Sequence, residues 1–154
     1  MKKNKFTFVD FFIVVAVLAV AVVAFLVLKS GNSNNGELSK VNFTMLATRQ
    51  DEGISELIKP GDDVIISFSE EVHATVVEAY EKDRVEYYFN NFTGKYVSGK
   101  VPGKSDVYVK LTANAKVSDT AITVDGLDIR VGDEMPVSGK GYVAKGYVVE
   151  VEEE

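Results

Sequence analysis

Three pairs of neighbouring carboxylates, Asp62/Asp63, Glu70/Glu71 and Asp133/Glu134, are the oxygen donors in this sequence that a metal site would call on first. Calcium needs about six to eight oxygens. None of the pairs stands in a D-x-D-x-D-G loop, and each falls beside a turn, where a solvated acid is the ordinary occupant. His73 is the single histidine, which removes every two-histidine metal site. Ser67, Ser69 and Ser138 lack a nucleophile elbow and a His–Asp partner set. Gly94, Gly99 and Gly103 are not followed by a helix start, so a phosphate-cradling loop is not expected. The residue inventory therefore points to no catalytic residue, no metal and no cofactor, and an enzyme is not expected.

The other dense cluster is aromatic: Tyr87, Tyr88, Phe89, Phe92 and Tyr96. Alternate residues of a strand face opposite sides, so part of this group can fill a core while part stays outside. Tyr88, Phe92 and Tyr96, with Lys95, Lys100 and Lys104 nearby, form the candidate interaction surface for a glycan or a protein.

Such a surface needs a scaffold, and the composition limits its kind. Cysteine is absent, which excludes disulfides, thiolate zinc sites and lipidation at cysteine. From residue 30 onward there are 13 basic and 22 acidic residues, a net charge of −9. A domain this acidic repels phosphate backbones, so nucleic acid is not an expected partner.

The eighteen residues Phe11–Leu28 are all apolar. At 1.5 Å per residue they give roughly 27 Å of helix, close to the hydrocarbon thickness of a bilayer. The run is longer than a signal-peptide core and lacks a cleavage site at its end, so an uncleaved anchor is expected. Lys2, Lys3 and Lys5 place residues 1–5 in the cytoplasm by the positive-inside rule, with the transmembrane helix over 6–28 and the rest outside. Asp10 stands at the start of this helix. It either marks the membrane boundary or pairs with a partner's charge as an intramembrane assembly residue.

Residues 29–40, rich in Gly, Ser and Asn, read as a flexible linker. From Val41 the apolar period becomes two, and short strands separated by Gly and Pro turns follow to residue 152. Hairpin strands are expected at Val72–Tyr80 and Arg84–Phe89, turning at Glu81-Lys82-Asp83, with a long loop from Asn90 to Ser105 and a charged, frayed end at Glu150–Glu154. The fold class is one N-terminal transmembrane helix followed by a mainly-β extracytoplasmic domain, a small barrel or sandwich of seven to nine strands. An internal repeat accompanies it. Ile58-Lys-Pro-Gly-Asp-Asp63 parallels Ile129-Arg-Val-Gly-Asp-Glu134 at an offset of 71. Ser67/Ser138 and Val72/Val143 keep that offset, and Val76-Val-Glu78 parallels Val148-Val-Glu150 one residue later. Two such units can pack about a pseudo-twofold axis.

Phe6-Thr-Phe-Val-Asp10, Leu57-Ile-Lys-Pro-Gly-Asp62, Asp106-Val-Tyr-Val-Lys110, Gly126-Leu-Asp-Ile-Arg-Val-Gly-Asp133 and Gly146-Tyr-Val-Val-Glu-Val151 together resemble a bacterial family of single-span membrane proteins, the domain of unknown function four-three-three-zero. The resemblance covers nearly the whole chain and implies an extracytoplasmic β domain, but no activity and no functional residues. Phe6, Thr7 and Asp10 are also similar to the entry of a type IV pilin, from which the chain departs at Lys5 and where the apolar run stops at Leu28. The expected role is a membrane-anchored, non-enzymatic assembly or binding module in bacterial cell-envelope biogenesis or export. Its partner would be an envelope protein or a second copy of itself. A ligand- or substrate-handling domain of a transport system is the alternative.

Overall fold

The computed structural model describes residues 17, 18, 20, 22 and 37–153. The expected cytoplasmic tail, most of the transmembrane run with Asp10, and residues 29–36 of the linker lie outside the described residues. The chain divides into two units, Met1–Asn35 and Gly36–Glu154. In the first, Val17, Leu18, Val20 and Val22 are helical and exposed. No helix among the described residues is long and apolar enough to cross a membrane.

The second unit is a single antiparallel sheet of eight strands: β1 Glu37–Asp51, β2 Asp63–Ile65, β3 His73–Asn90, β4 Lys95–Val117, β5 Ile122–Val124, β6 Leu127–Asp128, β7 Glu134–Gly139 and β8 Tyr142–Glu153. A single 3₁₀ turn, Ile54–Leu57, follows β1. The alternation of β-branched and polar residues suits a pleated surface with one buried face. Val41, Phe43, Met45 and Ala47 of β1 face Val107, Val109 and Leu111 of β4, all buried. Each large side chain removed from water in this way contributes about 1.5–3 kcal/mol.

The strand order is β1-β8-β7-β2-β3-β4-β5-β6, and β4 also pairs with β1. The expected sandwich is absent, because all eight strands belong to one sheet. An unbroken barrel is absent too. Although the order returns from β4 to β1, the β2–β7 seam is held by one pair, Ile65↔Ser138. Two features shorten that seam. β2 is only three residues long, and Pro136 of β7 has no N–H to donate.

The internal repeat extends to hydrogen-bond register. In the first turn Gly61 N–H donates to Val76 O, Asp62 N–H to Lys59 O and Val76 N–H to Asp62 O; in the second, Gly132 N–H donates to Val148 O, Asp133 N–H to Arg130 O and Val148 N–H to Asp133 O. Gly61 and Gly132 have φ of 90° and 98°, the left-handed region that glycine adopts without a Cβ clash. The pairs Asp63↔Thr75, Val64↔Ala74 and Ile65↔His73 answer to Glu134↔Tyr147, Met135↔Gly146 and Pro136↔Lys145. Both long ladders also skip a residue at the same place: Val77 between Val76↔Leu111 and Glu78↔Lys110, and Val149 between Met45↔Val148 and Thr44↔Glu150. The repeated Val-Val-Glu is therefore a β-bulge, which reverses the inward parity so that Val76 and Ala79, like Val148 and Val151, face the core. The Val72/Val143 correspondence fails at side-chain level: Val72 is buried and Val143 is exposed. The bulged strand is already one residue out of step there, and buried Ala144 takes the place.

Three boundaries differ from the sequence expectation. β1 starts at Glu37, four residues before Val41, because Glu37–Lys40 pair through backbone with Asn114–Val117 and need no apolar pattern to do so. The C-terminal acids are ordered in β8, with Glu150, Glu152 and Glu153 opposite Thr44, Asn42 and Val41. The largest difference lies in the middle of the chain. β3 runs unbroken through Glu81-Lys82-Asp83, and most of the expected Asn90–Ser105 loop belongs to β4.

Candidate functional site

Glycine and proline hid that strand, and each has a local job in it. Gly94, at φ 65°, closes the Asn90–Lys95 turn by donating its N–H to Asn90 O at 2.8 Å. The Asn90 side-chain carbonyl accepts from Phe92 N–H at 2.9 Å, an Asx turn. Gly99 lies beneath the Tyr88 ring, where an added Cβ would sit 3.5 Å from Cε2. Val101-Pro-Gly-Lys104 forms a wide irregularity, since the register jumps from Asp83↔Ser105 to Val85↔Lys100. Gly103-Lys104-Ser105 has no helix behind it, and the buried Ser105 hydroxyl donates to Glu81 Oε2 at 3.2 Å.

Beyond that irregularity β3 and β4 pair only with each other, because β1 reaches no further than Asp51↔Lys104. Residues 85–100 are thus a two-stranded ribbon projecting from the sheet. Its root is held by ions. Arg84 Nη1 lies 3.2 Å from Asp106 Oδ2, Arg49 Nη2 lies 3.1 Å from Glu86 Oε1, and Arg49 N–H donates to Asp106 Oδ1 at 3.0 Å. Lys100 and Lys104 pair with Asp83 and Asp51 at the same level. Glu81 also accepts from Gly53 N–H at 3.2 Å, tying the 3₁₀ turn to this root.

Directly opposed residues of a ladder share a face. Phe89↔Tyr96 and Tyr87↔Ser98 therefore lie on one side of the ribbon, while Tyr88↔Val97 and Glu86↔Gly99 lie on the other. The Phe89 and Tyr96 rings meet edge to face at 5.3 Å. The expected trio of Tyr88, Phe92 and Tyr96 does not share a face: Tyr88 is opposite in sense to Tyr96, and Phe92 caps the turn, fully exposed. None of the five aromatics enters the core. Tyr87 is 75 % and Tyr96 73 % exposed. Tyr87 and Phe89 belong to the aromatic face and were not expected there. Their signal was the alternation of Tyr87, Phe89 and Tyr96 about an Asn-rich, Gly-closed turn.

The remaining candidates are dispersed. Asp62 accepts from Lys59 N–H at 3.1 Å and from the Tyr142 hydroxyl at 2.9 Å. The Lys59 amide first, then Tyr142, hold its carboxyl below the usual carboxylate range. Burial, then Asp62, drives the Tyr142 hydroxyl well above the ordinary tyrosine value. His73 Nδ1 is 3.1 Å from Asp63 at the surface. Glu134 pairs with Lys145 at 3.0 Å. Ser67 Oγ accepts from Ser69 and Glu70 amides, which places it in a turn. Among the described residues no hydrogen bond links a serine to His73, and no group of three His or acidic side chains is placed to hold a metal. A groove of about 260 Å³ opens near the β2–β7 seam, lined by Ile66, Phe68, Leu127, Asp133 and Met135 among others. Lys145 Nζ stands 5.3 Å over the Phe68 ring beside it.

Over residues 2–152 the sequence matches the family described as Domain of unknown function (DUF4330). No curated protein and no solved structure matches it.

Proposed function

The chain belongs to the DUF4330 family of unknown function, and we propose that it is a membrane-anchored, non-enzymatic binding or assembly module of the bacterial cell envelope, with the β3–β4 ribbon as its recognition element. The observation that carries this reading is the ribbon itself. It exposes a cluster of aromatic side chains outside a body that has its own buried core, and exposed aromatics of this kind supply most of the energy of recognition surfaces. The anchor draws on the eighteen-residue apolar run, within which Val17, Leu18, Val20 and Val22 are helical. On this reading residues 1–5 are cytoplasmic, residues 6–28 span the membrane, the β domain lies outside, and Asp10 meets the interface or a partner's charge.

The groove near the β2–β7 seam favours a ligand-handling domain of a transport system as a second reading. Its volume of about 260 Å³ falls below the range of about 300–1,000 Å³ usual for small-molecule sites, which ranks it second.

The test is crosslinked recovery of tagged full-length protein from native membranes, comparing wild type with the Tyr87→Ser/Phe89→Ser/Tyr96→Ser variant. The expected outcome is a reproducible set of envelope-assembly or export proteins that the variant loses while staying folded. An unchanged set from the variant would mean that the ribbon does not hold those proteins. Recovery of the protein alone would remove the assembly role.

A further inference from the structure

The ribbon differs from an ordinary docking face in one respect: it is apolar on both sides and at its end. Tyr87, Phe89 and Tyr96 cover one face, Tyr88 and Val97 the other, and Phe92 the turn, and all six are exposed. A protein partner laid against one face would leave the opposite aromatics in water. A medium that surrounds the ribbon leaves none exposed.

Charge narrows the medium. Residues 87–105 hold three lysines and no acid, inside a domain of net charge −9. Lys100 and Lys104 are neutralised at the root by Asp83 and Asp51. Lys95 sits at the turn, with no ion pair among the described residues. The outer end of the ribbon thus combines amphipathic Tyr rings, a bare Phe and one available cation. Tyr partitions to the boundary between headgroups and acyl chains, and lysine reaches from there to anionic headgroups. The acid-free stretch also removes the carboxylates that would resist entry.

We infer that the Asn90–Lys95 end of the ribbon inserts into the interface of a lipid bilayer, with Phe92 deepest and Lys95 at the headgroups. This rests on the ribbon being the recognition element and names what it recognises. Insertion is shallow and reversible, because the Asn90 and Asn91 amides and the Tyr hydroxyls stay at the polar boundary. Anionic lipid strengthens it through Lys95.

The sequence contains no tryptophan, so Phe92→Trp supplies a single reporter at a fully exposed position, where the substitution costs the fold nothing. Purified full-length protein carrying this change is reconstituted into vesicles of phosphatidylcholine with or without phosphatidylglycerol, some with brominated acyl chains. The expected result is blue-shifted tryptophan emission that brominated lipid quenches, more strongly with phosphatidylglycerol, and a loss of that extra quenching when Lys95→Glu is added. Val143→Trp, exposed on the β7–β8 hairpin, should keep solvent-like emission in the same vesicles. Solvent-like emission of the Phe92→Trp protein in every vesicle would overturn the inference. A blue shift that grows with protein density but is not quenched by bromine would also overturn it, with a second copy as the occupant. Crosslinked recovery from native membranes with the Tyr87→Ser/Phe89→Ser/Tyr96→Ser variant separates the two levels. Solvent-like emission in vesicles together with proteins that the variant loses keeps the ribbon as a recognition element for a protein. Solvent-like emission with no protein lost removes that role as well.

Discussion

The Tyr142 hydroxyl donates to Asp62 Oδ2 at 2.9 Å, across 80 residues of sequence. This bond breaks the likeness of the two turns, since it ties the start of β8 to the first turn, and among the described residues no tyrosine does the same for Asp133. Gly139 makes room for it: a Cβ at that position would overlap the Tyr142 ring.

The bond sets a pH window for stability. Asp62, whose carboxyl is lowered in the fold, contributes stability that is present above the unfolded carboxylate value and lost as pH falls through the folded one. Tyr142, raised in the fold, contributes stability that is present below the ordinary tyrosine value of about 10 and lost as pH rises through its folded value. Tyr142→Phe should cost about 1 kcal/mol near neutrality. In denaturant melts across pH, the gap between wild type and variant should close under acid. A constant gap down to strong acid would mean that the bond is not the source.

Gly61→Ala and Gly132→Ala test the repeat. Both glycines hold left-handed φ in turns with the same three backbone bonds. Each substitution should cost about 1–2 kcal/mol, and the two costs should agree within the usual scatter. A large inequality would mean that the turns do different work.

Gly146→Ala should be worse. A methyl there meets the Leu46 carbonyl and the Met45 sulfur, so β1 and β8 must separate. Overpacking of this kind costs about 1–3 kcal/mol. The corresponding residue in the other half, Ala74, already carries a methyl and is 4 % exposed. Gly99→Ala, with only the edge of the Tyr88 ring nearby, is the control and should shift the melt little.

Amide hydrogen exchange should separate the ribbon from the body. Residues 85–100 have one neighbouring strand each, whereas β4 from Lys104 to Val117 lies between β1 and β3 for most of its length. An isolated two-stranded ribbon is only marginally stable, so its amides should exchange well ahead of those in the body. Equal protection along the whole of β4 would imply that something covers the ribbon.

The legible parts of the sequence were those with a local cause. Period-two apolar residues announced β1, β4 and their buried face. Asp125-Gly126 announced the β5–β6 turn, where both residues have positive φ. The I-[KR]-x-G-D-[DE] turns marked the repeat. The ribbon was illegible for a physical reason. Its Gly and Pro serve a turn, a ring contact and a bulge, and in composition these look the same as a loop. Which aromatic faces which side depends on the register across Asn90–Lys95, and the number of residues absorbed at Val101–Lys104 sets the root. Neither is written in any short window.

The first strand enters the sheet at Glu37 opposite Val117, while the ribbon leaves β4 at the other end, where Asp51 meets Lys104. A pull applied at the N-terminal entry and resisted at the ribbon acts on two antiparallel neighbours from opposite ends. The thirteen paired positions between them would carry that load side by side, in shear, instead of opening one after another like a zip. A tug between Glu37 and the ribbon therefore has to break the β1–β4 pairing together and cannot peel it from one end.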